Sequence, residues 1–184
     1  MKRIASLLDK LARPWVLLTT CVVFFSFPFY FLPQHKADTA GYSGDAGFID
    51  LCFFPKPDRI YEIAAAYGKE GRKVAIRSWF TLDIIWPVVY SLFFLVCINL
   101  SLGYSHGRKA ALLSLFALLP MVFDFCENML GVLIMSAYPD RMNFTALYMS
   151  LANGLKWLSF GLVGCLFLYG LVSAPVSAVI NKRK

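Results

Sequence analysis

An antiparallel bundle of four membrane-spanning helices is the fold this sequence predicts: all-α, polytopic, with an ordered loop on the outer side. Three observations predict it. Four long apolar runs, at about 15–33, 79–103, 110–136 and 144–172, each hold roughly the 20 residues that a helix rising 1.5 Å per residue needs to cross a bilayer. Hydrophobic residues make up 59% of the 184 and charged residues 16%, where soluble domains average about 45–50% and 25%. Lys and Arg gather in short segments beside the runs, as topology signals require.

The segment 2–13 places Ile4, Leu7, Leu8 and Leu11 at helical spacing between Lys2, Arg3, Lys10 and Arg13, the pattern of a short interfacial helix on the cytoplasmic surface. The first run is longer than the roughly 7–15 apolar residues of a cleaved signal, and no A-x-A site follows it. It reads as a retained signal-anchor, with Pro28 set to kink it. The loop 34–78 exceeds the roughly 12–15 residues beyond which loops have structure or a job. Its first part, 40–47, is turn-rich. Pro57-Asp58 is a helix start, Ile60, Ile63, Ala64 and Tyr67 form one apolar face, and Gly68 is a stop. A short helix over 58–67, lying on the outer surface, follows from this. A second helix is expected to begin near Lys69 and run into the second span. After the turn 104–109 come the third span, the turn 137–143 with Asn143 as N-cap, the fourth span, and a tail at 173–184.

Orientation follows from the basic residues near the membrane ends. Four lie in the N-terminal segment, then Arg108 and Lys109 in a turn, then Lys182, Arg183 and Lys184 in the tail. Four crossings put these segments on one side, which is therefore cytoplasmic, with both termini. The loop 34–78 is also basic, but Asp38, Asp45, Asp50, Asp58, Glu62 and Glu70 nearly cancel its charge.

The formal charge of +7 sits in these flanks, with no nucleic-acid motif, so a nucleic-acid partner is not expected; anionic lipid headgroups are. The five cysteines form no C-x-x-C pair and four lie in apolar runs, so they read as small buried hydrophobes. His35 and His106 fall on opposite sides, which leaves no histidine zinc site, bis-histidine haem or Ser-His-Asp triad. No Gly-rich phosphate loop is present. No cofactor and no metal are expected.

Chemistry is carried by ionisable residues inside the apolar runs, where each Asp, Lys or Arg costs about 2.5–3.5 kcal/mol to insert. They are Asp83 in the second run, Asp124 and Glu127 in the third, and Lys156 in the fourth. With the predicted topology all fall within roughly 12 Å of depth in the outer half. Asp124, Glu127 and Asn128 are spaced i, i+3, i+4 and share a helix face; Asn153 and Lys156 are i and i+3. Tyr90 lies two turns from Asp83, and Arg72 and Arg77 flank the mouth. Such faces point into the bundle, because lipid would leave them unsatisfied. The plain reading is a buried ion pair in which Lys156 locks the third helix to the fourth. The functional reading counts three acids against one deep base, leaving a carboxyl without a full partner, a candidate for acid/base work. Lys156 argues against an oxygen-ligand metal site built from Asp83, Asp124, Glu127 and Asn128.

Tyr67-Gly-Lys-Glu-Gly71-Arg72, Asp83-Ile-Ile-Trp-Pro87-Val-Val-Tyr90, the D-x-x-E-N motif Asp124-Phe-Cys-Glu127-Asn128, and Lys156-Trp157 together resemble a group of uncharacterised four-span bacterial inner-membrane proteins. The resemblance implies a bacterial inner membrane and the same polar positions. It brings no activity.

The leading expectation is a site that binds, or acts on, an outer-leaflet lipid or small amphiphile. Asp124 and Glu127 would give acid/base or hydrogen-bonding function, with Lys156 holding the charge balance or an anionic headgroup; Asp83, Tyr90, Asn128, Asn153, Arg72 and Arg77 would bind or line the entrance. The alternatives are a small oligomeric transporter or proton-coupled carrier, and a non-catalytic assembly partner of a membrane complex.

Overall fold

The computed structural model describes residues 8, 10–11, 13–31, 33, 41–42, 46–106 and 108–182. Among them all regular structure is helical. The interfacial helix expected over 2–13 falls mostly outside these residues, as do much of the turn-rich stretch 40–47, Gly107 and the tail end 183–184.

Helix α1, Pro14–Ser26, begins on a proline, whose fixed φ suits a first helical turn. It runs into a π-helical segment, Phe27–Phe31, that contains Pro28. A proline inside a helix removes one donor and crowds the carbonyl four residues back; here the wider π turn takes up the misfit. Thr19 and Thr20 return their hydroxyls to the carbonyls of Trp15 and Val16, which hides polar groups within an apolar helix.

Helices α2 (Pro57–Ala66) and α3 (Gly68–Trp79) follow, then α4 (Leu82–His106). Gly68 between α2 and α3 has φ +63°, the left-handed conformation that ends helices and that glycine adopts without strain. The helix expected near Lys69 does not run unbroken into the second span, because a turn at Phe80 and Thr81 separates α3 from α4. The third run is likewise divided, into α5 (Arg108–Ser114), a 3-10 turn (Leu115–Leu118) and α6 (Leu119–Ala137). Pro120 has no N–H for the Phe116 carbonyl, so the α-helical ladder cannot pass this point. Helix α7, Asn143–Lys182, has 40 residues, about 60 Å at 1.5 Å per residue. It starts at Asn143 itself, and the Ala146 N–H bonds the Met142 carbonyl. Met142, one residue before the expected Asn143, is therefore the N-cap position.

Among the described residues three stretches are long and apolar enough to cross a membrane: Gly68–Gly103, Lys109–Ala137 and Asn143–Pro175. The first run, Pro14–Tyr30, is shorter, about 25 Å against a hydrocarbon core of about 30 Å.

The chain divides into two compact groups. The first comprises Met1–Phe25, Val89–Pro120 and Leu158–Lys184. Its core joins Leu95, Ile98, Leu102, Ala110, Ala111 and Val163. Phe24 stacks on Phe93 at 4.2 Å, and Tyr90 lies 4.8 Å from Phe160. The second comprises Ser26–Val88 and Met121–Trp157. Its core joins Ile49, Ile60, Ile63, Tyr67, Trp79, Ile134 and Met149. Here the apolar face of α2 meets residues of α3, α6 and α7. Gly131 lets the Trp79 ring lie on α6, since a Cβ there would come within 2.7 Å of it. The Tyr67 hydroxyl donates to the Gly47 carbonyl at 3.0 Å. Burial first, and the Asp50 carboxylate second, hold that phenol above its ordinary pKa, so it stays protonated and donating.

Candidate functional site

The site lies wholly within the second group. On α6, Asp124, Glu127 and Asn128 share the face that their spacing requires. Glu127 is fully buried and Asn128 nearly so. On α7, Asn153 and Lys156 are buried as well. The Lys156 Nζ stands 2.6 Å from Glu127 Oε2 and 3.7 Å from Asp124 Oδ1. The other Glu127 oxygen accepts a hydrogen bond from Asn153 Nδ2 at 3.0 Å. Both oxygens of a carboxylate with no solvent contact are thus engaged, which the low dielectric demands.

Asp83, in the first turn of α4, accepts the Ser78 hydroxyl at 3.0 Å. Its main-chain carbonyl accepts Asn128 Nδ2 at 3.3 Å. Asn128 therefore ties α6 to the start of α4.

A loop residue completes the cluster. The segment Ile49–Leu51 is a 3-10 turn, and the chain then runs through Phe54 to α2. The Asp50 carbonyl accepts from Trp157 Nε1 at 3.3 Å and from Lys156 Nζ at 3.5 Å. The Phe54 N–H donates to Asn153 Oδ1 at 3.2 Å. Phe54 has φ +50°, an uncommon and strained conformation for a bulky side chain. Its ring fills the space above Gly154, where any Cβ would overlap it. Three buried acceptors here have no hydrogen-bond partner: Asp50 Oδ1, Asn128 Oδ1 and Glu127 Oε2, the last of which meets Lys156 as an ion pair.

Of the residues singled out in the sequence, the structure brings together Asp83, Asp124, Glu127, Asn128, Asn153 and Lys156. Arg72 is engaged elsewhere. Its Nη1 donates to the Ala64 carbonyl at 2.9 Å, closing the end of α2, and its guanidinium lies 4.1 Å from the Tyr138 ring centroid. Arg77 is exposed, and the donor on Asp83 is Ser78. Tyr90 belongs to the first group. Asp50 was counted in the sequence only as a loop acid. The signal that marks it is its setting in Phe48-Ile49-Asp50-Leu51-Cys52, an acid inside an apolar run. Among the described residues no group of three His, Cys, Asp or Glu is placed to hold a metal.

Chemically, the cluster gathers four acidic residues around one ammonium, and the unmet atoms named above are acceptors. It is suited to receive a hydrogen-bond donor or a proton. No family model matches the chain, and no curated protein or solved structure matches it.

Proposed function

We propose that this is a four-span protein of a bacterial inner membrane with both termini in the cytoplasm. Its acid-rich cluster binds, or acts on, a lipid or small amphiphile drawn from the outer leaflet. Pro14–Tyr30 is the remaining span, a short one that thins the bilayer locally or relies on flanking residues. The observation that carries the site reading is the pair of buried, unmet acceptors, Asp50 Oδ1 and Asn128 Oδ1. Each such atom costs about 1–3 kcal/mol, and native proteins keep few of them without a use. A ligand that satisfies them presents donors, so its polar head bears an amine or hydroxyls. Asp124 and Glu127 then supply hydrogen bonds or exchange a proton with that head, and Lys156 balances their charge.

Lipid co-purification tests this. Protein extracted in mild detergent should retain a specific amine- or hydroxyl-bearing amphiphile, identified by mass spectrometry. Asp124→Asn and Glu127→Gln should lose it at least several-fold. Identical lipid complements in all three proteins would leave the second reading, a structural pair between α6 and α7. That reading is favoured by the 2.6 Å contact between Lys156 and Glu127.

A further inference from the structure

The segment from Asp50 to Phe54 is held to the cluster by three hydrogen bonds: Trp157 Nε1 holds the Asp50 carbonyl directly at 3.3 Å, and the other two lead to Glu127. At one end the Asp50 carbonyl rests on Lys156, whose ammonium is held by Glu127 Oε2. At the other the Phe54 N–H rests on Asn153 Oδ1, whose amide nitrogen is held by Glu127 Oε1. Asn153 is a two-ended link: one side of its amide reads the carboxylate and the other holds the loop. Between the two points the loop exposes Leu51 and Phe53, at 68% and 60% of their surface. It also carries Phe54 in a left-handed backbone conformation that a surrounding structure must hold in place.

We infer that Asp50–Phe54 is a lid over the cluster, hinged at the buried Ile49 and Pro55, latched by Glu127 through Asn153 and Lys156 beside the direct Trp157 bond, and sprung by the Phe54 backbone. The inference rests on reading the cluster as a binding site, since a lid needs something to admit. A ligand group that takes either Glu127 or Lys156 breaks the pair that orients both latches. Release lets Phe54 leave the Gly154 surface and relax its backbone, while Leu51 and Phe53 suit contact with an apolar phase. Occupancy of the site and opening of the loop are thereby one equilibrium.

Cys52 sits in the lid itself, half-buried, with its thiol directed to the Phe48 carbonyl at 3.5 Å. Its rate of reaction with a water-soluble maleimide, located by peptide mass spectrometry on the full-length protein in mild detergent, reports opening. Glu127→Gln should speed Cys52 labelling about fivefold to tenfold, the worth of one or two hydrogen bonds. Gly154→Ala, which fills the seat of the Phe54 ring, should speed it by about tenfold or more. Val163→Ala, a truncation in the core of the first group, should leave the rate unchanged. If Glu127→Gln does not yield folded protein, Asn153→Ser decides, with the same acceleration expected. The latch is overturned if Gly154→Ala accelerates labelling and Glu127→Gln or Asn153→Ser does not, or if Val163→Ala accelerates it equally. No ligand enters this experiment, so its result stands apart from the lipid test: an accelerated Cys52 with no retained amphiphile keeps the latch and removes the binding site.

Discussion

The two groups of this chain bury polar residues in different ways. In the first, the described buried polar side chains are neutral: Ser91, Asn99, Ser114 and Ser159. Asn99 donates to the Leu8 carbonyl and Ser114 to the Ala111 carbonyl. These are bonds to main-chain oxygens, the inexpensive way to hide a polar group in an apolar setting. In the second, Glu127 and Lys156 are buried as an ion pair, and the hydrogen bonds that tie Asn153 and Lys156 to the loop span about a hundred residues of chain. A charge in hydrocarbon costs several times what a neutral amide does. A packing need alone is met as the first group meets it. The second group carries an additional cost, the feature on which the proposed site rests.

The largest expected effect breaks the charge pair. Lys156→Met removes the cation and leaves Glu127 buried beside Asp124, and should lower stability by about 3–5 kcal/mol. Adding Glu127→Leu should recover most of that loss, because an apolar pair replaces an ion pair at little or no cost. Thermal unfolding in mild detergent, followed by circular dichroism, reads both. A double variant as unstable as the single one would mean that the ions themselves hold the second group together, and the contrast between the groups would lose its functional meaning.

A smaller effect separates the groups by packing. Gly131→Ala places a methyl within 2.7 Å of the Trp79 ring and should cost the second group about 1–3 kcal/mol. Gly161→Ala in the first group meets nothing within 4 Å and should be neutral or slightly stabilising, since alanine favours helix by about 1 kcal/mol. Equal unfolding temperatures for the two variants would show that α6 yields at Trp79 and that the second group is not tightly packed there.

What the sequence made legible follows local rules. Apolar runs long enough to cross a bilayer marked three of the long helical stretches. The i, i+3, i+4 spacing put Asp124, Glu127 and Asn128 on one face, and two separate helices supplied the acid and the base. Pro57 and Gly68 bracketed a helix because proline and glycine act through their own backbone. Breaks were less visible. Pro120 lay inside a continuous hydropathy signal, and only its missing N–H divides α5 from α6. Asp50 was hidden for a different reason. Its place depends on Lys156 and Trp157, over a hundred positions away, and no periodicity within the loop encodes that contact. Arg72 shows the converse. Its proximity in sequence to the second span suggested an entrance, yet the nearer acceptor at the end of α2 takes its guanidinium.

The smallest effect tests the quieter half of the comparison. Asn99 is 4% exposed and spends its amide on one carbonyl, that of Leu8, at 3.0 Å. Inter-segment hydrogen bonds of this kind in membrane proteins average about 0.6 kcal/mol and reach about 1.7. Asn99→Leu keeps the volume, removes the donor and leaves the Leu8 carbonyl to find another partner. It should therefore lower stability by about 0.6 kcal/mol, a shift of only a few degrees, measured beside Lys156→Met in the same detergent. A loss approaching that of Lys156→Met would show that the first group also depends on a polar network. The acid-rich cluster would then be one of two such networks, and its charges would no longer single it out. A loss near the expected value leaves the first group as apolar packing with Asn99 and Ser114 tucked onto the main chain and the Ser91 hydroxyl a neutral buried group without a hydrogen-bond partner. The charged residues of the second group then remain the costly feature that packing does not explain.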